Sequence, residues 1–578
     1  MQTNAIRQIT RVLLTVCCLL GGLGASAAED PHAAVYAESE FPSAIQCASC
    51  HPKVFWEWAV SNHAYASISP MFHKFEQALN GLASGTVGTF CVRCHQQVAT
   101  QMGEPREMPL WDRSDISREG VTCVTCHRVS TQFGKVNGER HINPAPINAP
   151  VYNAGTGKGM ADVLANAKEY GVAMAPGEEG TPIHGPAIKF EQISQSEFCV
   201  SCHQVAVHPG IKLEVVWEQY RGAPAAKEGI TCQECHMGKV PGEAQGFETW
   251  PIAIVNGQTV GESNQKHSNH LFYGPGYPIA HPGIFPFNPR ALKWTIKDWL
   301  KFDYRSKWGD PAWEDEIANG ATPPAFPPEW AKREDREEAR YVISLNEKLL
   351  NDKRQSRIEV MENSMRIDGP FFKKPPAVGQ DLKFEYKITN VDRGHNLPSG
   401  SLGAQPELWF NVVLIDPDGQ RVWETGYVDA NGDMADIHSL EVAKGTTPYD
   451  SQLFNLQTKF LTTNVKGTDR EMYLPVNFDF DQLPHIRPPG VPTTVLNHPP
   501  FIRMEGRSLP PLGHRYAKYK VPASALTKPG RYRLQSRMRS RAEPIYFMKF
   551  VGATIDMEQS INEWMIDLHP AAAEFEIK

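Results

Sequence analysis

Ten of the twelve cysteines fall into five copies of one phrase, C-x-x-C-H. The copies are Cys47/Cys50/His51, Cys91/Cys94/His95, Cys123/Cys126/His127, Cys199/Cys202/His203 and Cys232/Cys235/His236, and outside an N-terminal apolar run no cysteine is left over. This spacing is the attachment signature of c-type haem. Two thiols add to the two vinyl groups of one porphyrin edge, and the next residue sets an imidazole under the iron as proximal ligand. A disulfide framework gives no reason for a histidine after every second cysteine. A zinc site needs two cysteine pairs, or one pair and two spaced histidines. The expectation is therefore five covalently bound haem c groups, each with its iron.

The phrase belongs to a longer repeat. "FCVRCHQ…REGVTCVTCH" over 90–127 and "FCVSCHQ…KEGITCQECH" over 198–236 also share Phe90/Phe198, Val92/Val200, Gln96/Gln204, Glu119/Glu228, Gly120/Gly229 and Thr122/Thr231. Attachment chemistry requires none of these matches, so they mark a two-haem unit that occurs twice. The first site stands alone, although "VFWEWAVSNHA" behind it echoes "VVWEQYRGAPA" at 215–225. Redox centres held at fixed close separation form a row suited to conduction.

The N-terminus reads as an export leader. Arg7 and Arg11 precede the apolar run Val12–Leu23, and "GASAAED" follows, which predicts a signal peptide over 1–28 cut near Ala27 or Ala28. Cys17 and Cys18 lie inside it, and Val16 ahead of Cys17 argues against lipid attachment. No later stretch is apolar enough to span a bilayer, so the expectation is a soluble periplasmic or extracellular protein. A net charge of −7 over 578 residues, without basic clusters, excludes a general nucleic-acid binder.

Fifteen histidines remain beyond the proximal five. "WAVSNHAYA" (58–66), "IHGPAIKF" (183–190), "GITCQECHM" (229–237) and "HLFYG" (270–274) resemble phrases of multihaem cytochromes of the cytochrome c-554 family, a group related to hydroxylamine oxidoreductase and the octahaem reductases. "RGHNLPSG" (393–400) resembles a loop of that wider group. The resemblance implies that His63, His184 and His270 are distal iron ligands, with His141 in "RHINPAP" as the fourth. The fifth is left among His281, His267, His73 and His395, with His281 placed first and His395 read as a loop or propionate contact. Reductases of the group often carry lysine in place of one proximal histidine, whereas every site here has histidine.

The chain divides into a multihaem domain of short helices and loops (29–290), a helical segment (291–365) and an all-β, sandwich-like domain (366–578). In the helical segment "REEARYVISLNEKLL" places Val342, Leu345 and Leu349 on one face. In the last part "DLKFEYKI" alternates with Leu382, Phe384, Tyr386 and Ile388 on one side, "ELWFNVVLI" with Leu408, Phe410, Val412 and Leu414, and "RYRLQSRMRSR" with Tyr532, Leu534 and Met538. The arginines opposite that last set read as a solvated face. No catalytic residue is assigned. The function expected is electron transfer through a row of mainly bis-histidine haems, exchanging with other cytochromes or a membrane quinol-linked complex, and with self-assembly as a further expectation. Two alternatives stand beside it: an oxidoreductase acting on a small nitrogen or sulfur compound at one open haem, and a docking or assembly module built on the β domain.

Overall fold

The computed structural model describes residues 36–578 except 83–87, 135–136, 139, 176, 208–210, 262–263, 401–405, 437, 458, 464–470, 474–501 and 506. The leader expected over 1–28 lies outside the described residues.

Residues 36–290 form short helices, loops and small strand pairings. Those used below are α1 (Pro52–Ala59), α2 (Asn62–Tyr65), α3 (Val92–His95), α4 (Gln97–Met102), α5 (Cys123–His127), α6 (Val200–His203) and α7 (Cys232–His236). Helices of one or two turns are unstable alone, because nucleation costs more than so few hydrogen bonds return. Here they are held by apolar contacts and by side chains that bind their ends. Phe55 and Trp58 of α1 sit in a cluster with Ala64, Met71 and Phe285. The Trp58 indole donates to the Val121 carbonyl at 2.8 Å, tying α1 to the segment that leads into α5.

The helical segment ends in one long helix, α8 (Arg333–Asn363). Its buried stripe runs Ala339, Val342, Ile343, Asn346, Leu350, Lys353 and Arg357. It differs from the stripe read from the sequence, because Leu345 and Leu349 are only half-buried and polar groups take inward positions. Two of these are bonded there: Asn346 donates to the Pro282 carbonyl at 2.7 Å, and Arg357 to the Trp564 carbonyl at 2.9 Å.

After α8 the chain enters strands β1 (Met365–Phe372), β2 (Leu382–Asn390), β3 (Glu407–Ile415), β4 (Arg421–Thr425), β5 (Phe454–Asn455), β6 (His514–Val521), β7 (Gly530–Arg541) and β8 (Ile566–Ile577). One antiparallel sheet has the order β1-β2-β6; the other runs β4-β3-β7-β8, with β5 also pairing with β3. The alternating residues of β2, β3, β6 and β7 meet in one apolar core. Tyr386 of β2 touches Phe410 of β3 across it, with ring centres 4.9 Å apart. On the arginine-rich face of β7, Arg537 and Arg539 both pair with Asp567 of β8.

The division of the chain is less clean than the sequence suggests. Ala542, Ile545, Phe547 and Met548, beyond β7, pack into the same cluster as Phe55 and Trp58. Each large side chain so buried stabilises by roughly 1.5–3 kcal/mol. Residues beyond β7 therefore share an apolar cluster with Ala44, which lies on the helix carrying Cys47.

Candidate functional site

Four of the five C-x-x-C-H phrases lie on or at the start of a single helical turn, α3, α5, α6 and α7, which directs their two thiols to one side. The first phrase departs from this pattern at Cys50. The helix carrying Cys47 ends at Ala48, so Cys50 lies in the turn beyond it and His51 caps α1. The turn keeps the spacing of the phrase, because the His51 amide donates to the Cys47 carbonyl at 2.9 Å. Cys50 packs against the apolar cluster of Val163, Val172, Ile183 and Val255, and the Ser49 hydroxyl lies 3.6 Å from its sulfur. Its carbonyl accepts from the Ile254 amide at 2.9 Å. Cys50 thus differs from the other attachment cysteines in what supports it. The long-range contact with the strand Ala253–Val255, and no helix of its own, holds it in place.

The repeated residues around the phrase now have physical roles. Gly120 and Gly229 both take left-handed φ, +67° and +75°. A Cβ on Gly120 would lie 2.5 Å from the His63 carbonyl, so only glycine lets α2 approach the entry to α5. Thr231 caps α7, its side chain and backbone both held by Glu234. Glu119 accepts from the Ser43 and Thr122 hydroxyls and from the Ala44 amide, which fixes the helix carrying Cys47. Its repeat counterpart Glu228 instead pairs with Arg393, in the loop after β2.

The proximal histidines face partners from distant parts of the chain. His51 stands opposite His184 with ring centres 6.4 Å apart and planes 11° apart. His127 stands opposite His270 at 6.4 Å and 27°, His203 opposite His63 at 6.2 Å and 53°, and His236 opposite His395 at 6.0 Å and 12°. Direct ring stacking would bring the centres closer. Two metal–nitrogen bonds of roughly 2 Å, plus about 1 Å from each nitrogen to its ring centre, separate two imidazoles on one metal by about 6 Å. The fifth proximal histidine, His95, is different. Phe72 stacks on it at 4.2 Å and 9°, and among the described residues no imidazole is placed opposite.

Most of these rings are oriented through Nδ1. That atom donates to the carbonyl of Ile252 from His51, Ala66 from His95, Tyr152 from His127, and Tyr273 from His236, at 2.6–3.3 Å. His184, His270 and His395 bond in the same way to Gly185, Ser268 and Asn396, at 2.7–3.0 Å. Each such bond fixes the tautomer and leaves Nε2 free to ligate. His63 differs, since its Nδ1 is buried without a partner. Burial lowers the basicity of His51 to about 4, and of His63 and His270 to about 3, helped by neighbouring imidazoles. The rings are thus neutral at ordinary pH, the form in which imidazole binds metal.

Two of the histidines carried over as distal ligands are placed elsewhere. His141 is exposed and its Nδ1 meets the Gln101 amide at 3.2 Å. His281 has both nitrogens engaged, accepting from the Gly283 amide and donating to the Phe302 carbonyl, each at 2.9 Å. His73 donates to the Ser67 carbonyl, and His267 contacts Glu57 at 2.8 Å. Glu57, Glu248 and His267 gather three ligand-type atoms within 4.8 Å, but Lys53 pairs with both carboxylates, and Glu57 also accepts from the His270 amide. That group braces the His270 loop. His395 is the residue that sequence reasoning underrated. Its one signal was the "RGHNLPSG" phrase, and the loop is docked by Arg393 on Glu228 and by Asn396 and Ser399 on Gln219.

The attachment sites adjoin one another. The thiols of Cys47 and Cys123 lie together, as do those of Cys94 and Cys202, and of Cys199 and Cys232. Phe272 packs against both His63 and His270, at 4.1 and 5.6 Å between ring centres, which joins the site of His127 to that of His203. The ten cysteines of the five phrases, Cys50 included, are half-buried, and among the described residues none forms a disulfide. Paired thiols, neutral imidazoles with one nitrogen free, and facing rings one metal apart fit haem c.

Residues 46–128 match the family described as cytochrome c554 and c-prime. The chain is a multihaem c-type cytochrome resembling the cytochrome c-554 family. That match supports covalently bound haem c and suggests electron transfer with redox partners. No curated protein matches the chain. Among solved structures, a penta-haem cytochrome c552 from Thermochromatium tepidum is 15% identical, with a TM-score of 0.48 over 93% of this chain and 99% of its own. Pseudomonas fluorescens alkylpurine DNA glycosylase AlkC, bound to DNA containing an abasic site analog, is 8% identical, with a TM-score of 0.13 over 46% of this chain and 44% of its own. At these scores neither likeness carries an argument. Among the described residues no helix is long and apolar enough to cross a membrane.

Proposed function

We propose that this multihaem cytochrome is an exported five-haem electron carrier in which four irons are closed on both faces by histidine. The observation that carries the reading is the set of four facing ring pairs, His51/His184, His127/His270, His203/His63 and His236/His395, each 6.0–6.4 Å between centres. When bound, haem supplies one-electron chemistry between ferric and ferrous iron. The chain's own residues anchor it through cysteine, orient its ligands through backbone carbonyls, and exclude exchangeable ligands with a second imidazole. The adjoining sites run from His51 to His127, then to His203, from which the sites of His95 and His236 branch.

A second reading, turnover of a small nitrogen or sulfur compound at one iron, is favoured only at His95, where the described residues place no second imidazole. The two C-terminal sheets support a sandwich-like unit, and its loop supplies His395. Export to the periplasm or the cell exterior rests on the leader over 1–28, and exchange with cytochromes or a quinol-linked complex on the absence of a built catalytic group in the sequence.

Mass spectrometry of the mature chain should find five covalent porphyrins, and ferric spectra should be dominated by low-spin iron. A chain without them removes the reading. Carbon monoxide taken up by the reduced protein beyond one equivalent contradicts the four closed sites.

A further inference from the structure

Residues 137–138 and 140–142 thread between the attachment helix α6 and the neighbouring helix α4. The amides of Asn137 and Gly138 donate to Gln204 and Ser201 behind α6 at 3.3 and 2.5 Å. Gln97 and Gln101 of α4 donate to the carbonyls of Arg140 and Ile142 at 2.7 and 2.9 Å. The approach is close: a Cβ on Gly138 would lie 3.1 Å from the Cys94 sulfur. The backbone is thus stapled on both sides, and the Arg140 side chain is directed inward.

There the guanidinium bonds Gln97 Oε1 at 3.2 Å and lies over the rings of Phe198 and Phe133 at 5.2 and 5.9 Å. It lies within electrostatic reach of the sulfurs of Cys126, Cys94, Cys199 and Cys202. Its Nε is buried without a partner. Among the described residues no carboxylate pairs with it. One permanent positive charge therefore stands where three attachment sites meet, those of His95, His127 and His203.

We propose that Arg140 is the residue that sets the reduction potentials at this junction, making it the electron-accepting node of the row. The inference rests on the proposed occupancy of these sites by haem. An arginine stays protonated at any working pH. A cation in a low-dielectric interior is weakly screened by salt, and it favours the reduced state of a neighbouring centre, which carries one less positive charge. Phe198 recurs as Phe90 in the repeat, but Arg140 falls in the stretch between the two units, so only this junction receives the charge.

The test is a redox titration of the purified holoprotein, followed optically, for wild type, Arg140→Gln and Arg140→Lys. Arg140→Met serves where Arg140→Gln fails to load cofactor. The neutral variants should shift the reduction equilibrium of at least one haem tenfold or more toward the oxidised form, 59 mV lower per tenfold for a one-electron couple. Arg140→Lys should recover most of the shift, and Gln97→Leu, which keeps the charge, should show less than half of it. Full haem content with unchanged potentials in a neutral variant overturns the assignment. So does an equal shift in Gln97→Leu, which would mean packing rather than charge. A wild-type chain without haem by pyridine haemochrome overturns the proposed function instead, so the two failures are distinct.

Discussion

Replacing His395 with alanine should open one iron and leave the loop around it in place. The imidazole stands 6.0 Å from that of His236, and its removal leaves, among the described residues, no other imidazole facing that ring. The loop keeps Arg393 on Glu228, Asn396 and Ser399 on Gln219, and the Asn390 amide on the His395 backbone carbonyl. What is lost beyond the iron bond is one hydrogen bond to the Asn396 carbonyl and a contact between Nδ1 and the Asp392 carboxylate at 3.4 Å. Together these amount to about 1–2 kcal/mol, too little to release the loop. The expected readings are a new high-spin ferric signal and carbon monoxide uptake by the reduced protein raised by about one equivalent per chain. His281→Ala and His141→Ala, whose rings face no proximal histidine, should add none. An unchanged spin state in the His395 variant, or the same gain in the His281 variant, would refute the reasoning.

Gly120→Ala sets a methyl group 2.5 Å from the His63 carbonyl at a left-handed φ of +67°. It should cost more than about 2 kcal/mol in chemical denaturation and shift the spectrum of the haem facing His63. Burial raises the Glu119 carboxyl from 4.5 to about 7. The folded chain then keeps a proton that the unfolded chain gives up, so this group's stabilising share is complete below the ordinary carboxylate range and is lost as pH rises through about 7. Roughly 3 kcal/mol of that decline should vanish in Glu119→Gln, read by comparing denaturation midpoints of both chains across that range. Glu314, buried against Arg336, has its carboxyl lowered despite desolvation, through hydrogen bonds from Arg336 and the Gly309 amide. Its contribution is present above the unfolded value and is lost as pH falls through the folded one. Glu314→Gln should cost about 3–5 kcal/mol near neutrality by leaving Arg336 uncompensated, measured as a fall in the denaturation midpoint.

The attachment sites were legible because covalent chemistry fixes their spacing locally: two thiols and an imidazole must share one turn whatever the rest of the chain does. What the spacing left open is what supports that turn, and at Cys50 the support comes from Ile254, some two hundred residues on. The strands from Leu382, Leu408 and Tyr532 were legible for a similar reason, since a half-buried sheet writes a period of two into its own residues. The pairing of imidazoles was not legible in this way. His51 and His184, or His236 and His395, meet only through long-range packing, and neither ring carries a local mark of its partner. His281 illustrates the opposite error. In sequence it is one more spare histidine, whereas in the fold its two nitrogens close a backbone turn beside Tyr304 and Trp299. Arg140 was passed over because a lone arginine between repeats has no period, and only the stapling of its backbone turns it inward.

The side chains from Ala542 to Met548 share one apolar cluster with Phe55 and Trp58, which lie in a distant part of the chain. Until that long-range contact forms, the cluster that also buries Ala44, on the helix carrying Cys47, is incomplete. Haem added to the Cys47 helix before then would meet a looser support, and the later segment acts as the bolt that shuts it.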